Sequence, residues 1–138
     1  MRSFVFICFL LLGVACQPVL EERILNTYPN GEPKIVVYTP ENDPNEIHKK
    51  VMFYENGNLR MVSFFKDHKK SGKWLYFYEG GSKMAETNFK NDLKNGESVR
   101  WHENGAVQST GSHSDDQRSG TWLFYDENGI LKNSIQYD

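Results

Sequence analysis

The sequence predicts an all-β fold, an elongated antiparallel meander of repeated two-stranded hairpins forming a single curved sheet. Three observations predict it. Gly57, Gly81, Gly105 and Gly129 recur at intervals of 24 residues, and each closes a turn signal: Glu55-Asn56-Gly57, Glu79-Gly80-Gly81, Glu103-Asn104-Gly105 and Glu127-Asn128-Gly129. A second glycine series, Gly72, Gly96 and Gly120, keeps the same 24-residue period. No stretch beyond the amino-terminal segment shows sustained 3.6-residue periodicity, whereas short alternating strands flank every turn. A fixed period of this size marks a repeat array, in which each unit buries its apolar surface against its neighbours. Such arrays build extended surfaces more readily than pockets, which weighs against an enzyme.

The 138 residues suffice for one domain with a modest core. Aromatics make up 14% of the chain although its mean hydropathy is −0.63, so they are spread along strands. That aromatic content also argues against disorder. A net charge of −2 and a pI near 6.1, with no Lys/Arg stripe, give no reason to expect nucleic-acid binding.

Residues 1–15 read as a signal peptide. Arg2 is a minimal positive region, and Phe4 to Val14 is an apolar run of 11 residues, short of the roughly 20 that span a bilayer as a helix. The run ends in Leu12-Gly13-Val14-Ala15-Cys16, which resembles the lipobox of bacterial lipoproteins. Where that pattern prefers Leu three positions before the cysteine, this chain has Gly13, with Leu12 one position out. Of the two cysteines, Cys8 would leave with the leader and Cys16 would stand alone. A lone cysteine in an exported chain has no internal disulfide partner, and acylation at Cys16 accounts for it. The mature charge would become −3 on loss of Arg2. Gln17, by the same resemblance, does not signal inner-membrane retention, so the expected location is the bacterial outer membrane, facing the periplasm or the cell surface.

Residues 16–25 read as a tether and 26–138 as the repeat domain. The first unit is degenerate, with Tyr28-Pro29-Asn30-Gly31 in the turn position and Ile35 to Tyr38 as its return strand. A loop from Pro40 to Asn45 carries its extra residues. In the later units, the residues four before each glycine are Phe53, Phe77, Trp101 and Tyr125, and those six before are Val51, Leu75, Val99 and Leu123. These share one strand face, which is expected to form the core. The opposite face, seven, five and three before, is mixed: Lys50, Met52 and Tyr54; Trp74, Tyr76 and Tyr78; Ser98, Arg100 and His102; Trp122, Phe124 and Asp126. Return strands follow each turn, then six-residue links, Asp67 to Gly72, Asn91 to Gly96 and Asp115 to Gly120, suited to a longer β-turn.

Gly72-Lys73-Trp74-Leu75-Tyr76-Phe77-Tyr78-Glu79-Gly80-Gly81 and Gly120-Thr121-Trp122-Leu123-Phe124-Tyr125-Asp126-Glu127-Asn128-Gly129 resemble the MORN-repeat family in its bacterial variant. The unit from Gly96 to Gly105 departs by having Ser98 in the Trp place, and the unit ending at Gly57 has His48 and Lys50 in the Gly and Trp places. The resemblance implies the hairpin fold. For function it implies only a range: scaffolds, lipid-associated modules, partner-binding appendages, and an antitoxin label for some bacterial members.

The sequence carries no catalytic constellation. His48, His68, His102 and His113 lack metal-ligand spacing, and Asp115-Asp116 reads as a solvated turn, not a calcium loop. There is no nucleophile elbow, Walker-A loop or dinucleotide fingerprint. No metal, cofactor or enzymatic activity is expected. Trp74, Tyr76, Tyr78, Trp122 and Phe124 share one side of the sheet and are expected to form a binding face. The alternative is that both faces pack, through curling of the sheet or against the tether. The resulting expectation is a lipid-anchored, non-enzymatic protein-binding module, with an antitoxin or immunity protein and a carbohydrate-binding module as alternatives.

Overall fold

The computed structural model describes residues 19–138, so the expected leader and Cys16 lie outside the described residues. Eleven strands follow in order: β1 (Leu20–Thr27), β2 (Pro33–Pro40), β3 (Lys49–Phe53), β4 (Leu59–Lys66), β5 (Lys69–Lys70), β6 (Gly72–Phe77), β7 (Lys83–Lys90), β8 (Leu93–Trp101), β9 (Val107–Ser114), β10 (Gln117–Tyr125) and β11 (Leu131–Tyr137). They form one open sheet in sequential order, with β5 paired to β4 alone. Every pairing is antiparallel. β5 and β6 together occupy the repeat positions of β8 and of β10, interrupted at Ser71. The expected meander of hairpins is therefore the observed fold.

Two kinds of turn alternate along the sheet. At Tyr54-Glu55-Asn56-Gly57, the Gly57 amide donates to the Tyr54 carbonyl at 3.0 Å and the Tyr54 amide donates to the Asn58 carbonyl at 2.8 Å. Gly57 sits at φ 84°, and the register slips between Met52 and Phe53. This is a three-residue loop whose last residue, left-handed, forms a bulge. The six-residue links are tighter than expected. Only Asp67-His68, Asn91-Asp92 and Asp115-Asp116 lie in the turns, each residue with φ between 46° and 73°. Two consecutive left-handed residues define the mirror-image turn that matches strand twist, and Asp and Asn tolerate that conformation best after glycine. The rest of each link joins the next strand.

Those strands then turn a corner. From the Phe65–Lys70 pair to the Val62–Leu75 pair, β4 advances three residues and its partner chain five. The same two-residue excess separates Phe89–Lys94 from Thr87–Ser98, and Ser112–Ser119 from Thr110–Leu123. Gly72, Gly96 and Gly120 occupy these excesses at φ 70°, 102° and 65°, a region that costs a side-chain-bearing residue strain. Extra residues on one strand bend it and increase its twist.

Side chains stitch each unit to the next at fixed repeat positions. The hydroxyls of Tyr28, Tyr54 and Tyr78 donate to the carbonyls of Phe53, Phe77 and Trp101, each at 2.9 Å. His102 takes the same place, its Nε2 lying 3.0 Å from the Tyr125 carbonyl. Because a carbonyl only accepts, Nε2 carries the proton. Asn56 and Asn104 reach the next turn's backbone through Glu79 and Glu127. On the opposite edge, Asp92 Oδ1 accepts from the Lys70 amide at 2.8 Å, and Asp116 Oδ1 accepts from the Lys94 amide at 2.7 Å. The residue three before the turn glycine thus has a structural role in joining successive units.

The terminal unit breaks this pattern. Asp126 accepts from the amides of Asn128 and Ile130 and pairs with Lys132 at 2.9 Å, satisfying its own turn. At the other end, β1 begins at Leu20, inside the segment expected to be a tether. All its residues are exposed, Leu20, Ile24 and Leu25 among them, and they show no regular alternation, yet Tyr28 places it in repeat register with β3. An edge strand needs no apolar face, and charges such as Glu21, Glu22 and Arg23 protect it from further pairing.

Removing one rung of the ladder should loosen the array. Tyr78→Phe keeps the ring and deletes the donor to Trp101, and it should lower stability by about 1 kcal/mol in urea unfolding. An unchanged midpoint would show that the ladder does not couple the units.

Candidate functional site

Both faces of the sheet are packed: the regular apolar face holds the hydrophobic cluster that the sequence leads one to expect, and the mixed face is covered as well. On the face with the regular apolar positions, Val36, Val51 and Val62 form a cluster with Tyr38, Phe53, Leu75 and Phe77. Cross-strand pairing continues that line through Leu75 to Glu86, Val99, Thr110, Leu123 and Ser134. Polar residues interrupt it towards the carboxyl-terminal end. Glu86 is held there by Lys73 and Lys83, whose hydrogen bonds and charges keep its carboxyl below the ordinary range despite partial burial.

The mixed face holds the deeper burial. Trp74 is 6% and Trp122 5% exposed, alongside buried Val37, Ser63, Ala85, Phe89, Ser98 and Ser109. The glycine corners are the cause. Each bends the link end of its hairpin back over the sheet, so that Trp74 Nε1 donates to the Phe64 carbonyl and Trp122 Nε1 to the Ser112 carbonyl, both at 3.0 Å. Trp74 lies between Phe65 and Phe89, with ring centroids at 5.3 and 4.8 Å. Trp122 meets His113 at 5.0 Å and lies under the Arg118 guanidinium at 4.6 Å. The five residues expected to form an exposed binding face therefore divide. Trp74 and Trp122 are structural, packed through curling of the sheet. Tyr76, Tyr78 and Phe124 remain partly exposed, but the Tyr78 hydroxyl is committed to Trp101. Cys16 lies outside the described residues.

Two concavities open on the structure around these residues. The first, about 280 Å³, is lined by Met52, Tyr54, Arg60, Met61, Tyr76, Phe77 and Met84. Burial raises the Tyr76 phenol above its ordinary pKa. The second, about 150 Å³, is lined by Ala85, Thr87, Ser98, Ser109, His113 and Trp122 with Lys94, Arg100 and Arg118 around it. Ser98 Oγ lies 3.0 Å from His113 Nδ1. Burial holds the His113 imidazole below its ordinary pKa, aided by Lys94 and Arg118 and opposed by Asp116. Among the described residues, no group of three or more His, Cys, Asp or Glu side chains could hold a metal ion. The sequence reading missed Arg60, Met61 and Met84 because they sit on return strands with weak alternation. It missed the cationic ring because Lys94, Arg100 and Arg118 are dispersed in sequence and converge only across β8 and β10.

The hairpin repeat with left-handed glycine corners defines a class, the β-hairpin repeat module. The MORN repeat variant matches at residues 49–67, 70–91 and 118–138, which supports kinship of these three segments with the MORN-repeat family. The unit containing Ser98 falls between the matched segments. Among curated proteins no sequence matches. Among solved structures, the chain is similar to the Glycosylation Associate Protein (Gap123) complex from Streptococcus agalactiae at TM-score 0.50 and 17% identity. That similarity covers 89% of this chain and 22% of the other, so this chain spans about a fifth of that one. It is a likeness of fold.

The close approach of Trp122 to the backbone gives a direct test of the packing. A Cβ added at Gly111 would lie 2.2 Å from the indole. Gly111→Ala should therefore destabilise the protein by about 2–3 kcal/mol, read by chemical denaturation with Trp fluorescence. A neutral effect would mean that the indole does not lie against β9.

Proposed function

We propose that this chain is a lipid-anchored, non-enzymatic module that binds a protein partner in the bacterial envelope through its methionine-lined cleft. The methionine-lined cleft carries the binding part of this reading. Met52, Met61 and Met84, with Tyr76 and Phe77, line it with partly exposed apolar side chains. Methionine is unbranched and polarizable, which suits a surface that adapts to a partner's side chains. At about 280 Å³ the cleft is smaller than those that enclose a drug-sized ligand, and it fits one or two apolar side chains. The anchor rests on the sequence. Cys16 follows an apolar run of signal-peptide length and precedes β1 by a few residues, so acylation there would hold the amino-terminal edge of the sheet near the bilayer.

Acyl labelling with fractionation tests the anchor: wild-type chain should take label and sediment with membranes, and Cys16→Ser should do neither. A soluble, unlabelled wild-type product would remove the lipoprotein reading. For the partner, crosslinked capture from the native envelope should fall about tenfold with a folded Met52→Gln, Met84→Gln variant, since two apolar side chains of burial are lost. Equal capture by both chains would exclude the cleft, and selective retention of glycan instead of protein would replace the reading with a carbohydrate-binding one.

A further inference from the structure

The second concavity exists because one unit lacks its tryptophan. Trp74, Ser98 and Trp122 occupy the same repeat position. Phe65, Phe89 and His113 likewise share one position, and where an indole is present they pack against it. At Ser98 the indole is replaced by a hydroxyl, and the vacated space is the 150 Å³ pocket, with buried Ser98 and Ser109 within it. A loss of packing this large would be costly if it had no use.

The lining has a definite electrostatic sense. Lys94, Arg100 and Arg118 surround the pocket, and its residues include no carboxylate. None of the three cations is in an ion pair among the described residues. Asp116, whose charge reaches His113, accepts from the Lys94 amide, and Glu97 lies in the neighbouring concavity. Arg118 has only Tyr137 Oη and aromatic faces as partners. This concentration of positive charge stands on a chain of net charge −2.

We propose that the Ser98 pocket receives an acidic side chain of the protein partner, its carboxylate held by Arg100 and Arg118 with the Ser98 and Ser109 hydroxyls beneath. The inference rests on the protein-binding reading and gives that partner a chemistry. Geometry favours a peptide over a free anion. Met52, Met61, Tyr76, Ala85, Arg100 and Ser109 form one cross-strand row, so cleft and pocket lie on the same line. Met61 and Arg100 are three interstrand steps apart, about 14 Å at ~4.8 Å each, a span of about four extended residues. The partner segment is therefore one with an apolar residue and an acidic residue about four positions apart.

Titration of the mature chain by nuclear magnetic resonance tests this with three probes: a short peptide carrying leucine and glutamate four positions apart, its glutamine twin, and inorganic phosphate. The glutamate peptide should shift the Trp122 indole and the His113 ring and raise the His113 pKa, because an adjacent carboxylate favours the imidazolium. The glutamine twin should bind at least about tenfold more weakly, and Arg100→Gln and Arg118→Gln should each cost about tenfold, the scale of one charge-assisted hydrogen bond. Lys66→Gln, an exposed cation elsewhere on the sheet, should change nothing. Ser98→Trp restores the repeat pattern, fills the pocket and should abolish these shifts; if it does not fold, the arginine variants decide. Binding of both peptides alike, equal weakening by Lys66→Gln, or phosphate binding without peptide binding would each overturn the proposal. If the wild-type chain still captures its partner through the methionine cleft while the glutamate peptide fails, only this inference falls.

Discussion

The left-handed corner at Gly72, Gly96 and Gly120 is the constraint on which the rest of this sheet depends. A single antiparallel layer has two faces and no second layer to cover either. At each corner one strand carries two more residues than its partner, and the hairpin end folds back over the sheet. That fold gives Trp74 and Trp122 a backbone carbonyl for the indole nitrogen and a ring to pack against. Without it, large aromatics on this face would lie in water. Only a residue that accepts positive φ without strain can sit at the corner, which is why the second glycine series keeps strict time with the first.

Coupling between units is carried by polar atoms as much as by apolar area. A tyrosine hydroxyl crosses to the next unit's carbonyl, a turn asparagine to the next turn, and a link aspartate back to the preceding link. These bonds repeat in register because the units do, so a fault in one is felt by two neighbours, as expected of a quasi-one-dimensional array. Asp126 ends the series by satisfying its own turn. The same repeat position carries Tyr28, Tyr54, Tyr78 and His102 in the preceding units, each bonded to the next unit's carbonyl.

Regularity and function are separated differently here than the pattern of apolar positions suggests. The uniform positions four and six before the turn glycine form a cluster in the amino-terminal half, where Val36, Val51, Val62 and Leu75 align across strands. Further on, Glu86, Thr110 and Ser134 break the line. The mixed face also includes fully buried side chains, Val37 and Ser63, because a strand cannot show by alternation alone which of its two faces will be covered. The informative departure was a substitution inside the pattern: Ser98, where its neighbouring units have tryptophan, opens a pocket that the surrounding cations make suitable for an acid.

The 24-residue glycine periods determined by themselves the hairpin repeat, the turn positions, the meander order and the all-β class, since each depends on local backbone conformation and neighbour pairing. They did not mark β1, whose exposed edge position demands no apolar alternation, nor distinguish the tight Asp/Asn turns from longer loops. Which face is buried, where methionines from three strands meet, and how Lys94, Arg100 and Arg118 converge were decided only by the tertiary structure. These features depend on the bend at each glycine corner, and sequence spacing records where a corner falls but not the direction in which it folds the chain.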